Sequence, residues 1–377
     1  MMKRGLNMKT IKIALAILSG FILVFSLVTC SDDDECPTCP SITDVELPDL
    51  NVYFMMRYER ALGVYNMKSA EIIDTIEFSK FGIEEYAIRD YCVSGDGREI
   101  ILTANQSLAD NEKAYVYSTF VYDLETMDLI AAHDAGYIIN VSNTGNYVAL
   151  YGQDSIYFLD GNTYQILFTD TVFVCHGNFL LDDTKFYAAV ENSNKIAVFD
   201  MGTRVMDTLI EYYDEEGGAP EVCKVAPVDG GNKLYLELYY GYPWTRLISY
   251  SVAQDSTLLQ YDIVLAGNLS QTPDGNYVVA TDPGQCFYDY IGSWNIIFFD
   301  IDNDKIASIV PGVGNTNDPV DPGILAFSPD GRYTFVGGDG CFGRRCAIMD
   351  NYQHLILETI YFDDTTFFIC PSCRKVP

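Results

Sequence analysis

Seven short apolar strands, each closed by a small polar residue, recur along this chain at a nearly constant spacing. They read Leu62-Gly63-Val64-Tyr65-Asn66, Phe120-Val121-Tyr122-Asp123, Tyr157-Phe158-Leu159-Asp160 and Ala197-Val198-Phe199-Asp200. The series continues with Ile248-Ser249-Tyr250-Ser251, Ile297-Phe298-Phe299-Asp300 and Ala347-Ile348-Met349-Asp350. From Asn66 to Asp350 the six intervals average roughly 47 residues, and a fixed period of that size marks an architecture in which one small supersecondary unit repeats and stacks. Past Pro48 no segment carries the 3.6-residue apolar period of an amphipathic helix. Runs of Val, Ile, Tyr and Phe instead alternate with Gly, Asp, Asn and Pro clusters, the pattern of strands and turns. The chain is therefore expected to be all-β.

A second element falls between these strands: a tight hairpin. Its strongest copies are Ser328-Pro329-Asp330-Gly331-Arg332-Tyr333, Thr272-Pro273-Asp274-Gly275-Asn276-Tyr277 and Ser94-Gly95-Asp96-Gly97-Arg98. Further copies are Ser142-Asn143-Thr144-Gly145-Asn146-Tyr147, Leu181-Asp182-Asp183-Thr184-Lys185-Phe186 and Asp229-Gly230-Gly231-Asn232. Pro presets the turn and Gly takes its positive-φ position. Such a hairpin followed by a strand ending in Asp resembles the YVTN and WD40-like β-propeller repeats over residues 49–377. The resemblance implies a seven-bladed β-propeller of four-stranded blades. It carries little about activity, because propellers host many unrelated functions. Six hairpins serve seven strand-Asp units. The first unit, at Asn51-Val52-Tyr53-Phe54, lacks an innermost strand, and the segment Thr366 to Arg374 follows the last unit with no blade of its own. The C-terminal strand is thus expected to complete the first blade and abolish an open sheet edge.

Ahead of the repeats, Lys9 and Lys12 lead into an apolar run from Ile13 to Leu27, then Val28-Thr29-Cys30. A basic start, a short apolar core and a small residue before the cleavage point read as a secretory signal, and the run is short for a membrane span. The cysteine resembles that of the bacterial lipobox, which implies lipidation of Cys30 and removal of residues 1–29. Ser31-Asp32-Asp33-Asp34-Glu35 looks like the acidic tag that sends lipoproteins of some Gram-negative lineages to the cell surface; a plain solvated linker is the other reading. Residues 30–48 are then an acidic, cysteine-containing tether. The expected location is the outer membrane, held by lipid and facing an oxidising exterior.

Charge narrows the partners. The chain carries 53 acidic and 23 basic residues, a formal charge of −30; losing Lys3, Arg4, Lys9 and Lys12 with the signal makes it −34. Nucleic acid is excluded as a partner, since phosphate binding requires a basic surface. Disorder is not implied, because 49% of residues are hydrophobic and 14% aromatic, well above acidic unfolded chains.

Eleven cysteines less Cys30 leave ten. Cys36-Pro37-Thr38-Cys39 and Cys370-Pro371-Ser372-Cys373 stand at the two ends that the closure would join. The oxidising compartment favours disulfides there, while four thiolates also suit a tetrahedral zinc. Cys286 and Cys341 occupy matching loops, and Cys175 and Cys223 lie where innermost strands begin. Some of these four are disulfide candidates, with the pairing open. Cys92 reads as a small core residue.

The same loop face collects unusual aromatics: Tyr239, Tyr240, Tyr242 and Trp244 in the fifth unit, then Tyr288, Tyr290 and Trp294 in the sixth. Exposed Tyr and Trp offer rigid contact area with a polar edge, suited to sugars or proteins; packing onto the blades is the alternative. Three histidines, His133, His176 and His354, form no sequence constellation. There is no nucleophile elbow or phosphate-binding Gly loop, and Asp300-Ile301-Asp302-Asn303-Asp304 lacks the Gly and distal Glu of a calcium loop. The expected function is non-enzymatic binding of a surface glycan or protein ligand, without cofactor or metal. The rivals are a lactonase-like or quinoprotein-like propeller enzyme and a structural subunit of an envelope assembly.

Overall fold

The computed structural model describes residues 47–56, 61–82, 87–94, 98–107, 115–136, 138–152, 155–241, 245–263, 267–282, 295–311, 324–337, 345–361 and 372–375. Twenty-eight strands form seven antiparallel sheets of four, and helix is limited to two short 3-10 turns, Phe78–Phe81 and Asp229–Gly231, among the described residues. The protein is a seven-bladed β-propeller, as the repeat implies.

Blades are numbered in chain order, and their strands run inner, second, third and outer. The inner strands are Ser372–Lys375, Ala87–Val93, Ile138–Val141, Val174–Phe179, Glu221–Val228, Leu269–Gln271 and Ile324–Phe327 for blades 1 to 7. Blade 1 takes its inner strand from the far end of the chain. Ser372–Lys375 pairs antiparallel with Leu50–Met56, placing Cys373 opposite Val52 and Ser372 opposite Tyr53. Closure by the C-terminal strand is therefore confirmed. The cysteines Cys30, Cys36, Cys39 and Cys370 lie outside the described residues.

All seven strand-Asp units are third strands, and their last residues share one job. The Oδ1 of Asp160 accepts from the backbone N–H groups of Asn162 (3.0 Å) and Thr163 (2.8 Å) and from the Thr163 hydroxyl (3.0 Å). Asp123, Asp200, Asp300 and Asp350 accept in the same way from residues two or three further on. Asn66 does so through Oδ1 with Ser69, and Ser251 through Oγ with Gln254. Each is an Asx- or Ser-type turn that satisfies the N–H groups of the reversal into the outer strand. Those bonds, that of Thr163 first, hold the Asp160 carboxyl below its ordinary range.

The opposite hairpin, from inner to second strand, is equally local. Gly331 N donates to Ser328 O (2.8 Å), Tyr333 N donates to Ser328 Oγ (2.8 Å), and Ser328 Oγ donates to Asp330 (2.6 Å). Gly331 sits at φ +71°, and a Cβ there would lie 2.7 Å from the backbone nitrogen of Asp274 in the neighbouring hairpin. Glycine is required twice over at this position, for conformation and for close approach.

Between blades lies the apolar core, divided into seven clusters that correspond to the seven blade-blade interfaces. Period-2 alternation sends successive residues of one strand to opposite neighbours. In blade 5, Leu234 and Leu236 pack toward blade 4 while Tyr235 meets Phe299 of blade 6 with ring centroids 5.5 Å apart. The interface of blades 3 and 4 is strongly aromatic: Phe158, Phe179, Phe186 and Phe199 interlock at centroid distances from 4.7 to 6.5 Å.

Blade 4 departs from the hairpin rule in an informative way. Asp183 occupies the glycine position at φ +58° and is buried. Its carboxylate accepts from the backbone N–H groups of Asn143 (3.1 Å) and Thr144 (3.3 Å) and from the Thr144 hydroxyl, clasping the hairpin of blade 3. Hydrogen bonds to a charged acceptor offset the strain of a left-handed non-glycine residue. Asp183→Ala should lose about 2–3 kcal/mol of stability in urea unfolding, as clasp bonds vanish and strain remains. Asp183→Gly should recover about 1 kcal/mol of that loss by relieving the positive φ.

Candidate functional site

Two kinds of connection share one end of the propeller: those that enter inner strands and those that join second to third strands. Tyr239 ends the second strand of blade 5, Lys233–Tyr239, half-buried, and Tyr240 follows it, 40% exposed. Arg246, in the third strand Thr245–Ser251, lies with its guanidinium carbon 5.0 Å from the centroid of the Tyr240 ring. Its Nε donates to Asp262 at 2.8 Å, which fixes the guanidinium edge against the ring. A cavity of about 410 Å³ opens beside this pair, lined by Tyr212, Asp214, Glu215, Glu216, Thr257 and Gln260 together with Tyr240 and Arg246. The acidic lip is held by Asp214, whose Oδ1 accepts from Gly218 N (2.6 Å) and Glu216 N (3.1 Å). Tyr212 is buried beneath, edge-on to Tyr250 at 5.3 Å. Of the seven aromatics singled out from sequence, Tyr239 and Tyr240 are placed on this face. Tyr242, Trp244, Tyr288, Tyr290 and Trp294 lie outside the described residues.

A second polar group surrounds the axis. The inner strands of blades 2, 4 and 5 each shift register by one residue near their start, at Arg89, Cys175 and Cys223. The residue after each bulge then pairs with the fifth residue of its second strand: Asp90 with Thr103, His176 with Ala189 and Lys224 with Glu237. An acid, an imidazole and an ammonium thus share one level of the channel wall. Bulges re-aim side chains in this way and gather near sites.

Asp90 and His176 are electrostatically tuned. Burial pushes the Asp90 carboxyl up to about 7, against the lowering effect of the Ile139 and Tyr91 N–H groups that its oxygens accept. Burial, with the Lys224 ammonium second, pushes His176 down to about 3. The ring is therefore neutral at physiological pH; Nδ1 accepts from Val225 N at 3.4 Å, so the proton sits on Nε2. Lys224 reaches Glu237 at 2.7 Å, and Glu237 is fully buried. Breaking such a pair leaves an uncompensated buried charge.

Two residues further along the inner strand of blade 4, Asn178 bonds to the inner strands of other blades. Its Nδ2 donates to Val225 O (2.8 Å) and Leu269 O (3.2 Å), and its Oδ1 accepts from Asn140 Nδ2 (3.4 Å) and Ser270 Oγ (3.4 Å). All four hydrogen-bonding positions of the amide are used, tying together inner strands of blades 3, 4, 5 and 6.

Other singled-out residues have plainer surroundings. His354 lies in the third-to-outer turn of blade 7, stacked on Phe298 at 4.6 Å and edge-on to Tyr277 at 5.1 Å. His133 ends the outer strand of blade 2, its Nε2 buried without a partner. Asp300 to Asp304 is a hairpin turn, with Asp304 ion-paired to Lys233 at 2.7 Å. Cys175, Cys223 and Cys346 are free thiols, Cys92 Sγ donates to Val93 O at 3.5 Å, and no His, Cys, Asp and Glu group suited to a metal occurs among the described residues. The axial set went unseen in sequence, although Glu237 inside the run Leu234-Tyr235-Leu236-Glu237-Leu238 is a charge where alternation demands an apolar residue.

No protein-family model matches the chain, and no curated protein matches it. Similar solved structures include hydrazine synthase of Kuenenia stuttgartiensis, at 18% identity over 70% of this chain and 76% of that one, with a TM-score of 0.51. The β-propeller domain of Cps50 (Swd1) from Myceliophteria thermophila matches at 13% identity over 72% and 85%, TM-score 0.52. Dihydro-heme d1 dehydrogenase NirN in complex with DHE matches at 14% identity over 91% and 78%, TM-score 0.50. At these identities the likeness establishes the β-propeller fold and nothing about chemistry.

Asp90 sets a testable pH dependence. Its folded value lies above the ordinary carboxylate value near ~3.9, so the folded state binds the extra proton between that value and about 7. Stability contributed by Asp90 is therefore present below the unfolded value and lost as pH rises to about 7. In urea unfolding at a series of pH values, Asp90→Asn should gain on the parent steadily between those limits and hold level above them. A constant difference across that window would contradict the assignment.

Proposed function

We propose that this propeller is a lipid-anchored, non-enzymatic binding protein of the outer-membrane surface, recognising a hydroxyl-rich glycan on its loop face. The tether is Cys30. The observation that carries the reading is the cavity at the rim of blades 4 and 5, with exposed Tyr240, Arg246 and an acidic lip. About 410 Å³ falls within the range of small-ligand sites. One face of the Tyr240 ring meets Arg246; a pyranose stacks on aromatic surface through its C–H groups, and paired carboxylates accept from vicinal hydroxyls. Asp214, Glu215 and Glu216 together with the net charge of −30 repel sialylated or sulfated sugars. Neutral and amino sugars remain.

The test is a panel of neutral, amino and acidic glycans presented to the mature protein. Tyr240→Ala, and separately Trp244→Ala with Trp294→Ala, should weaken neutral-glycan binding by about 5- to 30-fold, the range of a hot-spot contact. Folded variants that bind as well as the parent would remove the loop face from consideration.

The axial set supports a second reading. Asp90, His176 and Lys224 supply the acid, base and cation types that a lactonase-like propeller needs. Turnover of lactones by the parent, lost in Asp90→Asn, would move the protein into the enzyme class.

A further inference from the structure

We propose that Cys175 and Cys223 are an oxidation site, partners in one disulfide that staples blade 4 to blade 5 at the mouth of the axial channel. The two residues occupy equivalent places. Each is the extra residue of a bulge in an inner strand, one position before the axial residue of its blade, His176 or Lys224. Cys175 Sγ donates to the backbone oxygen of Cys223 at 3.4 Å, across a sequence separation of 48. Standard bond lengths cap the Cα separation behind that contact at roughly 9 Å, and a disulfide closes at about 4.4–6.8 Å. A bulge residue has no register partner, so it can rotate and shift without breaking the ladder around it. Both side chains are half-buried, so neither is wholly shut off from solvent.

The structure holds both as thiols. Closure requires an oxidant, here a low-mass disulfide. One cysteine thiolate attacks the oxidant, a mixed disulfide forms and one thiol leaves. The second cysteine attacks the protein sulfur of that mixed disulfide, and the other half leaves as a thiol. The pair loses two electrons and two protons; the oxidant's S–S bond is reduced to two thiols. Burial, then the carboxylates of Glu191 and Glu221, pushes Cys175 up to about 11, and burial, then Glu237 and Glu221, pushes Cys223 up to about 12. Thiolate is scarce at neutral pH, so closure is slow there and accelerates as pH rises. These groups therefore suit a lasting cross-link made once in an oxidising compartment, not a rapid sensor.

The bond would fix the two blades that frame the Tyr240 cavity, since Tyr212 and Asp214 follow blade 4 while Arg246 and Thr257 belong to blade 5. The experiment uses the folded mature protein, first reduced, then incubated with oxidised glutathione at pH 7.0 and at pH 8.5. It is quenched with iodoacetamide in guanidinium and mapped without reductant. The expected result is a Cys175–Cys223 linked peptide that forms about tenfold or more faster at pH 8.5, with a melting temperature above that of the reduced protein. Cys175→Ser should leave Cys223 alkylated or glutathionylated. The proposal is overturned if both cysteines are alkylated while circular dichroism shows the fold intact, or if either is found joined to a different cysteine.

Discussion

Four residues close this molecule. The strand Ser372–Lys375 lies against Leu50–Met56 over the pairs Leu50 with Lys375, Asn51 with Arg374, Val52 with Cys373 and Tyr53 with Ser372. Without them blade 1 has three strands and an open inner edge, and an unpaired edge is a template for association. The consequence is not confined to one sheet. Every blade buries both faces against neighbours, and the interfaces of blade 1 join it to blade 2 through Tyr53, Leu62 and Tyr91 and to blade 7 through Val52, Phe54 and Phe335. A ring has no end at which a loosened blade can be tolerated, so the hydrophobic burial of seven interfaces rests on a short non-local pairing. Such a pairing between chain ends is also costly in loop entropy and slow to form.

Within the ring, blades 4 and 5 depart most from the repeat. Asp183 replaces the hairpin glycine and clasps blade 3. Their inner strands carry the matched bulges at Cys175 and Cys223. Glu237 is buried in a second strand and paired with Lys224, and Asn178 reaches past its neighbour to blade 6. The Tyr240 cavity opens at the rim of the same two blades. Local rules are broken where a protein has something else to do with the residue. Most of these exceptions fall in one sector, from axis to rim, and blade 2 adds the same inner-strand bulge at Arg89.

The fold was legible in the sequence because its signals are local. The terminal Asp of a third strand caps the very next turn, and the Pro-Asp-Gly or Asn-Thr-Gly hairpins carry their own φ requirements, so both could be read within six residues. Closure followed from counting units against hairpins. The axial set was not legible for two reasons. Its members, Asp90, His176 and Lys224, come from three blades and share a register level only through the ring, and a bulge of one residue in each strand reverses which side chain a simple alternation would send to the axis. The aromatic loop lay between these cases. Its composition singled out Tyr240, which the structure places on that loop face, but the neighbouring Arg246 and the acidic residues 214–216 come from other connections and left no joint pattern in the chain.

The dependence of the whole ring on its closing strand can be measured directly. Deleting residues 372–377 from the protein, alongside a Cys370→Ser/Cys373→Ser variant that keeps the strand, separates strand pairing from any cysteine chemistry. Light scattering coupled to size exclusion, with a thermal melt of each protein, gives the readout. The deletion should self-associate and melt well below the parent, while the serine variant stays monomeric. A deletion that remained monomeric with an unchanged melting temperature would contradict the closure on which this description of the propeller stands.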